Sequence, residues 1–429
     1  MIQLDIPARH YGQQSMIGYA ATPLMQVRVA FVGMGKRGQV GMKRWQCLPD
    51  TEIVALCDLY KESLDEAIQI FKENNTANKP LPATFSGPEA FKTVCKRSDV
   101  NLIYICTDWQ HHVDIALEAM RQGKHVAIEV PAAMTLDEIW QLVDTSEQTR
   151  CHCIMLENTV YDYFESATLN MARHGMFGEI IHAEGGYLHN LGENWETWRI
   201  RYNQQYRGDN YPTHGFGPAC QLFDIHRTDM LDYLVSVDTA SFNGPLIYER
   251  MTGERPASFA EGDHTTTVVR TRRGKTILIK HDVMTTQPYS REYLVCGTEG
   301  FARKYPKHQL CLMPERLKGL GINLPSDFDP HAPLNDELAH EVLEMFVPDY
   351  MKHLENKGKE LDSRGGMAYF MDWRLSQALL HGQPLDMDVY DLAEWCSLIE
   401  LSRISLAHGS EPVAIPDFTR GSSPFLQNV

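Results

Sequence analysis

The chain has 429 residues, 43% of them hydrophobic, so it can bury a large core and is expected to form two domains. Its formal net charge of −16 argues against nucleic acid or an anionic membrane surface as the partner. The ten cysteines show no paired C-x-x-C spacing, which favours free thiols in a reducing compartment over a disulfide framework. No apolar run is long enough to span a membrane and no signal peptide is visible. A cytoplasmic protein is expected, or a periplasmic one if a leader has been removed.

A glycine-rich turn follows the first predicted strand. After a polar arm over residues 1–25, residues 27–32 are apolar and β-branched, which is typical of a strand buried on both faces. They lead into Gly33-x-Gly35-x-x-Gly38 and then into residues that can continue as a helix. In this context Gly33 would allow the tight turn, Gly35 the close approach of a pyrophosphate, and Gly38 the packing of helix on strand. The N–H groups that open the helix would face the phosphates.

An acidic residue ends the next predicted strand. Residues 51–57 are strand-like and stop at Asp58, twenty residues after Gly38. A carboxylate at that position can accept hydrogen bonds from both ribose hydroxyls and would repel a 2′-phosphate. The pattern therefore predicts an NAD site and disfavours NADP.

Strands and helices alternate as far as residue 156. Strands are predicted over 100–106, 125–128 and 151–156, and helices over 61–74, 113–122 and 136–147. This spacing is typical of parallel β-α-β units and predicts a doubly wound Rossmann sheet over residues 1–157. Ligands of such sheets bind beyond the carboxyl ends of the strands, where Asp58, residues 107–112, Glu129-Val130 and Glu157-Asn158 fall.

The pattern changes over residues 158–429. Strands are predicted over 180–186, 265–270, 276–281 and 293–296, and helices over 218–235, 334–356, 366–381 and 389–407. Strands gathered with few intervening helices predict an α+β domain with a large, mostly antiparallel open sheet. The C-terminal helices are expected to pack back on the first domain.

A long loop is predicted over residues 187–217, and it is dense in aromatic and charged side chains. It holds Trp195, Trp198, Arg199, Tyr202, Tyr206, Arg207 and the run Tyr211-Pro212-Thr213-His214-Gly215. Aromatic rings and fixed donors suit a sugar, whose faces stack and whose hydroxyls need partners. The alternative is that these rings only pack beneath the loop.

Several residues are candidates for proton transfer. His214 follows a proline and precedes a glycine, a turn-like setting in which an exposed histidine can act as general acid or base. His226 is its rival, on a predicted helix where a structural role is equally plausible. Glu157 and Tyr187 are candidates for a second proton-transfer group, although Glu157 would serve equally as a structural strand-end carboxylate. The histidines and carboxylates between residues 108 and 114 match no ligand spacing, so no metal is expected.

The first domain resembles the glucose–fructose oxidoreductase and inositol dehydrogenase family of NAD(P)-dependent sugar enzymes. The shared marks are the glycine turn, the strand-end acid, the Glu129-x-Pro131 motif and the large C-terminal sheet. In most of that family the middle residue of the motif is a lysine that helps to bind the sugar and move its proton. Val130 stands there in this chain, which weakens the expectation of ordinary alcohol dehydrogenation.

A narrower resemblance accounts for that departure. Nearly the whole chain is similar to glycoside hydrolase family 109, the NAD-dependent α-N-acetylgalactosaminidases. The shared marks include Thr107-Asp108-Trp109, Glu129-Val130-Pro131, Tyr211-Pro212-Thr213-His214-Gly215 and Pro288-Tyr289-Ser290-Arg291. This resemblance implies that NAD is contacted by Lys36, Arg37, Asp58, Trp109, His112, Glu129, Val130 and Asn158. It also implies a sugar pocket lined by Tyr187, Arg199, Tyr211, Thr213, His214 and Tyr289, with His214 as the leading acid/base.

The resemblance also implies a reaction. An α-N-acetylgalactosaminide or a related glycoside would be oxidised transiently at C3, lose its aglycone by elimination across C1–C2, add water and be reduced again. The alternatives are a sugar dehydrogenase with net hydride transfer and a non-catalytic NAD-dependent binding protein. A small carbohydrate is the expected partner, and a homo-oligomer is expected from the resemblance alone.

Overall fold

The structure is a computed structural model that describes residues 1–75, 78–192, 196–326, 328–330 and 332–427. Two β-sheets form its framework, one parallel and one mostly antiparallel. Among the described residues, no helix is both long and apolar enough to cross a membrane.

The first sheet has six parallel strands in the order β3-β2-β1-β4-β5-β6. The strands are β1 (Val27–Val32), β2 (Thr51–Asp58), β3 (Ala83–Ser86), β4 (Leu102–Ile105), β5 (His125–Ile128) and β6 (Cys153–Met155). The connecting helices are α1 (Lys36–Gln46), α2 (Lys61–Asn74), α3 (Ala90–Cys95), α4 (His112–Arg121) and α5 (Leu136–Thr149). The predicted doubly wound Rossmann sheet is confirmed. The strand order reverses between β1 and β4, the point at which such sheets open a crevice for a dinucleotide.

The second sheet has eight strands in the order β13-β12-β11-β7-β10-β9-β8-β14. Its strands are β7 (Ile180–Leu188), β8 (Leu231–Asp238), β9 (Thr265–Thr271), β10 (Thr276–Asp282), β11 (Leu294–Gly297), β12 (Gly300–Arg303), β13 (Gln309–Leu312) and β14 (Val413–Ala414). All neighbouring pairs are antiparallel except β7 with β10. The predicted large, mostly antiparallel sheet is confirmed, and β7 extends two residues beyond its predicted end so that Tyr187 lies on the strand.

The helices of this half are α6 (Tyr163–Arg173), α7 (Thr197–Gln205), α8 (Thr213–Leu222), α9 (Gly244–Thr252), α10 (Pro314–Gly319), α11 (Asp336–Phe346), α12 (Asp349–Leu361), α13 (Met367–His381), α14 (Val389–Ala407) and α15 (Pro424–Gln427). Two short 3-10 helices, η1 (Trp109–His111) and η2 (Asn158–Tyr161), follow strands β4 and β6.

Three predicted segments of this half were wrong. The loop predicted over 187–217 contains α7 and the start of α8, and residues 218–235 form the end of α8 and much of β8 rather than one helix. Helix α7 buries only three residues and has no apolar stripe, so its sequence carries no helical periodicity. The helix predicted over 334–356 is divided between α11 and α12 at Pro348, because the residue before a proline disfavours the helical conformation.

Helix α14 lies between the two sheets. It packs against α5 and β6 on one side and against α8 and β8 on the other. Nearly all of its length is buried, including the whole side chain of Trp395, as expected of a helix that is apolar on most sides. Asp388 caps its first turn. The helix therefore connects the β6 edge of the first sheet to the second sheet.

Candidate active site

A cavity of about 1690 Å³ opens where the carboxyl ends of the parallel strands meet the second sheet. Its walls come from the β1–α1 turn, the ends of β2, β4 and β5, strand β7, helices α7 and α8, and residues 289–305 and 364–367. This volume exceeds that of a typical small-molecule pocket, so the cavity can hold a dinucleotide together with a second ligand.

The glycine turn forms the floor of one half of the cavity. Gly33 has a φ of +94°, and a Cβ there would lie 2.6 Å from the carbonyl of Cys106. A Cβ on Gly38 would lie 2.0 Å from the carbonyl oxygen of Gly33, so only glycine allows α1 to pack this closely on the strand. A Cβ on Gly35 would meet nothing within 4 Å and would instead project into open space. Helix α1 begins there without an acidic residue in its first turn, which leaves its N–H groups available to an anion.

Asp58 is held rigidly at the end of β2. One carboxylate oxygen accepts the N–H of Met34 at 2.6 Å, within the glycine turn, and the other accepts the N–H of Tyr60 at 2.9 Å. Asp58 lines the cavity beside the turn. Each carboxylate oxygen retains a lone pair that can accept a hydrogen bond from a ribose hydroxyl.

Most of the other residues predicted to contact NAD line the same half: Lys36, Arg37, Trp109, His112, Glu129 and Val130. The nearby Glu129 carboxylate raises the pKa of Arg37. Burial lowers the pKa of His112, and its Nδ1 and Nε2 lie 2.9 Å from the carbonyl oxygen of Pro131 and 3.0 Å from that of Thr107, so the ring is held between these two backbone segments. The open cradle at Gly35 and the fixed acid at Asp58 together fit a dinucleotide.

Asn158 is the exception among the residues that the resemblance implies as NAD contacts. Gly38 acts in helix packing, as described above, and Asn158 is buried in η2 with its side-chain oxygen unpartnered among the described residues. Neither is among the residues that line the cavity.

Aromatic rings form the other half of the cavity. Tyr187 lies 4.9 Å from Tyr211, 5.3 Å from His214 and 6.5 Å from Tyr289, measured between ring centroids. Burial raises the pKa of both Tyr187 and Tyr211, so their hydroxyls are protonated and can donate hydrogen bonds. All four residues line the cavity. The family resemblance implies that these four residues line one sugar pocket, and the structure places them around one cavity.

His214 forms a pair with Glu157. Its Nδ1 lies 2.6 Å from Oε1 of Glu157, which also accepts hydrogen bonds from the hydroxyl and the N–H of Thr159 at 2.6 and 3.2 Å. Burial alone would raise the pKa of Glu157, but the electrostatic interaction and the hydrogen bond with His214 hold it below its ordinary value. Because Glu157 is then a carboxylate, Nδ1 must donate to it, and Nε2 is the ring nitrogen left to act on a ligand.

The structure differs from the expectation for His214 and favours one of the two roles left open for Glu157. His214 is not exposed on a turn: it is the second residue of α8 and is 7% exposed, at the cavity wall. Glu157 is 0% exposed behind His214, and the cavity wall does not include it. Glu157 is therefore in place to orient the histidine rather than to exchange a proton with a ligand.

His226 lies away from the cavity. It is fully buried, is not helical, and has a φ of +52°. Its Nδ1 lies 2.8 Å from Glu394, and its Nε2 is 3.5 Å from Asp388. His226, Asp391 and Glu394 are close enough together to hold a metal ion, but Asp391 is already paired with Arg227 at 2.8 Å. The buried ion pairs of His226 thus favour a structural role for this residue, whereas His214 lies at the cavity wall.

Arg199 stacks among the aromatic rings. Its guanidinium lies 5.2 Å from the ring centroid of Trp109, 5.0 Å from Trp198 and 5.9 Å from Tyr211. Such stacking fixes a cation at the wall of the cavity.

Two other residues of the predicted loop do not line the cavity as described. Thr213 is fully buried and lies outside the lining, and Trp195 is outside the described residues.

The sequence assigned no role to six lining residues of this half: Asp162, Arg291, Lys304, Tyr305, Arg364 and Met367. Arg291 donates to Asp162 at 2.6 Å, and Lys304 lies 2.6 Å from the other oxygen of Asp162. Arg291 stands two residues after Tyr289 on the same segment, which was the one signal available. The others are brought to the cavity by tertiary folding.

Two protein-family models match the chain, one over its N-terminal part and one over its C-terminal part. Residues 27–157 match the oxidoreductase family with an NAD-binding Rossmann fold, and residues 161–424 match the C-terminal domain of glycosyl hydrolase 109. Over 426 residues the chain is 49% identical to glycosyl hydrolase family 109 protein 1 of Bacteroides fragilis, with 98% of this chain and 91% of the relative covered. It is 50% identical to a glycosyl hydrolase family 109 protein of Porphyromonas gingivalis, with 98% and 90% covered.

Solved structures of similar fold are more distant in sequence. A levoglucosan dehydrogenase in complex with NADH and levoglucosan has a TM-score of 0.68 at 15% identity, covering 91% of this chain and all of that one. An NAD-binding oxidoreductase from Klebsiella pneumoniae has a TM-score of 0.68 at 14% identity, covering 92% of this chain and all of that one. At this identity the likeness shows the fold.

Proposed function

The chain belongs to glycosyl hydrolase family 109 and contains an NAD-binding Rossmann domain, and from this premise we propose that it is an NAD-dependent glycosidase. Its substrate would be an α-N-acetylgalactosaminide or a related glycoside. The observation that carries the proposal is that one cavity joins the dinucleotide turn at Gly35 to the His214–Glu157 pair and the aromatic wall.

The pair supplies the proton transfer that this reaction needs. With Nδ1 donating to Glu157, Nε2 of His214 can take a proton from a sugar carbon or hydroxyl, exchange it with solvent and later deliver a proton back. The carboxylate stabilises the imidazolium that forms, and its own contacts with Thr159 keep the ring in one orientation. Tyr187 lies against the same histidine with its hydroxyl protonated, which makes it the candidate donor to a leaving oxygen.

Bound NAD would supply a reversible two-electron oxidation of the sugar. The protein's part is to orient the ring and exclude water. Tyr187, Tyr211 and Tyr289 offer faces for stacking, and Arg199 offers a fixed donor beside Trp109. In this proposal a histidine backed by a buried carboxylate takes the place of the two carboxylates that ordinary glycosidases place across the scissile bond.

A sugar oxidoreductase with net hydride transfer is the second candidate, favoured by the Rossmann fold and by the solved dehydrogenases of similar fold. Val130 opposes it. An aliphatic side chain at the cavity wall cannot move the proton of a sugar hydroxyl, as the lysine usual at this position would.

One assay separates the two candidates. The purified protein is incubated with a chromogenic α-N-acetylgalactosaminide without added NAD, and aglycone release and the absorbance of reduced cofactor are followed together. Many aglycones released per cofactor, without accumulating NADH, support the glycosidase. NADH formed in step with substrate consumed would overturn it in favour of the oxidoreductase.

A histidine variant tests the proton carrier in the same assay. His214→Ala should bind cofactor as the wild type does and lose about 10²-fold to 10⁴-fold in turnover. His340→Ala, on the exposed surface of α11, is the matched control and should keep full activity. Wild-type turnover in His214→Ala would contradict the assignment.

A homo-oligomeric state stays a prediction, to be checked by light scattering.

A further inference from the structure

Arg364 lines the cavity from a turn, and none of the roles proposed above involves it. The turn connects α12 to α13, and just beyond it the Sδ of Met367 lies 3.7 Å from Nη1 of Arg291, whose Nε donates to the hydroxyl of Tyr305 at 3.3 Å. The Tyr305 ring lies 6.2 Å from that of Tyr289, and all of these residues line the cavity with Arg364. Asp362 anchors the turn: its Oδ1 accepts the backbone N–H of Arg364 at 3.1 Å, and its Oδ2 accepts the N–H of Ala368 at 2.9 Å. These two hydrogen bonds therefore fix the backbone of the turn at Arg364.

The terminal nitrogens of Arg364 are available. Its Nε lies 3.4 Å from Asp362, and within the described part of the chain no hydrogen bond or ion pair is made by its two Nη groups. The neighbouring cations of this wall are engaged, because Arg291 and Lys304 both pair with Asp162 at 2.6 Å. Arg364 thus offers the wall a planar pair of donors that suits two adjacent oxygen acceptors.

The charge of Arg364 acts on both tyrosines of the aromatic wall. Burial raises the pKa of Tyr187 and of Tyr289, and the positive charge of Arg364 partly opposes that rise at each of them. Arg364 and both tyrosines line the same cavity. A ligand stacked on the tyrosines would therefore come within reach of the guanidinium.

The order of side chains along the wall gives the orientation of a sugar. Tyr187 lies 5.3 Å from His214 and 6.5 Å from Tyr289, measured between ring centroids. The proposed chemistry takes place at C1, C2 and C3, so that edge of the ring must face His214. The opposite edge, which carries the oxygens on C4 and C6, then faces Tyr289 and Arg364.

We propose that Arg364 is a specificity-determining residue that donates hydrogen bonds to O4 and O6 of the substrate sugar and thereby distinguishes the configuration at C4. This inference rests on the proposed function, which sets the reacting edge of the ring. The substrate class is a hexopyranoside whose O4 and O6 can be reached together by one guanidinium.

The test compares Arg364→Met with wild type on aryl α-glycosides of N-acetylgalactosamine, its 4-epimer and its 4,6-dideoxy analogue. Loss of hydrogen bonds from a charged donor should lower kcat/KM for the galactoside about tenfold or more. The loss should appear in KM with kcat near the wild-type value, because the contact is away from the reacting carbons. The variant should lose the wild-type preference between epimers and match the wild type on the dideoxy analogue.

Two further variants complete the design. Arg364→Lys keeps the charge but not the planar fork and should recover only part of the preference. Lys359→Met removes an exposed cation of the adjacent α12 and should behave as wild type. An equal loss on all three glycosides would show that Arg364 acts only through the fold, and an unchanged galactoside KM would show that it does not bind substrate; either result overturns the inference.

Direct binding keeps this test separate from that of the proposed function. If the wild type hydrolyses none of the glycosides, the proposed function fails, and binding of free N-acetylgalactosamine and its 4-epimer can still be followed by tryptophan fluorescence. Weaker binding and lost discrimination in Arg364→Met support the inference. Equal discrimination by variant and wild type, or none by the wild type, overturns it.

Discussion

Replacing Glu157 with glutamine removes the charge behind His214 and leaves its shape. Glu157 is 0% exposed and lies 2.6 Å from Nδ1, so the lost contact is a buried, charge-assisted hydrogen bond. Such a bond contributes about 1.5–3 kcal/mol, or about one to two powers of ten in rate if it stabilises the imidazolium only in the transition state. The glutamine amide can also donate to Nδ1 and turn the free proton towards the ligand, which disables the base. We therefore expect kcat to fall about 10²-fold to 10⁴-fold.

The assay for Glu157→Gln is aglycone release under saturating glycoside, with bound cofactor measured on the same sample. KM and cofactor content should stay near their wild-type values, since Glu157 lies behind the cavity wall. The control is Glu147→Gln, another fully buried glutamate, which pairs with Arg9 and Arg420 outside the cavity. That variant should lose thermal stability and keep its kcat. Wild-type kcat in Glu157→Gln would refute the claim that Glu157 orients and charges His214.

Three further substitutions test the fold around the site. Gly38→Ala places a Cβ 2.0 Å from the carbonyl oxygen of Gly33 and should destabilise the protein by about 1–3 kcal/mol, seen as a lower Tm. Gly35→Ala meets nothing within 4 Å, so it should keep the wild-type Tm and lose bound cofactor; a reversed pattern would refute the roles given to the two glycines. Burial alone would lower the pKa of His226, but Glu394 and its neighbouring carboxylates hold it well above 6.5. The stability of wild type relative to His226→Gln should therefore be greatest below pH 6.5 and decline as pH rises through the folded pKa, and a pH-independent difference in urea denaturation would contradict this.

The cofactor half of the site was predictable because its information is local. Gly33, Gly35 and Asp58 occupy two consecutive strand ends, and the spacing between them follows from β-α-β geometry. The apolar runs of the parallel strands are equally clear in the sequence. The short edge strand β3 was missed because three of its four residues are exposed and carry no hydrophobic pattern.

The aromatic half of the cavity, which we propose binds the sugar, depends on contacts distant in sequence. Glu157 and His214 are separated by 57 residues, and only the packing of η2 on α8 brings them within 2.6 Å. The sequence identified His214 as an acid/base candidate yet placed it on an exposed turn, because helix α8 contains a proline that was taken to start a later helix. Arg364 carries no local signal, since its turn reaches the cavity only after α12 and α13 have packed.

The central claim is that the sugar is oxidised only transiently and that a proton leaves C2 during hydrolysis. Hydrolysis of the α-N-acetylgalactosaminide in deuterium oxide, with the released sugar examined by nuclear magnetic resonance, tests this directly. We expect deuterium at C2 of the product, because His214 removes that proton and solvent replaces it. A product that keeps its original hydrogen at C2, released at the full rate, would contradict the account.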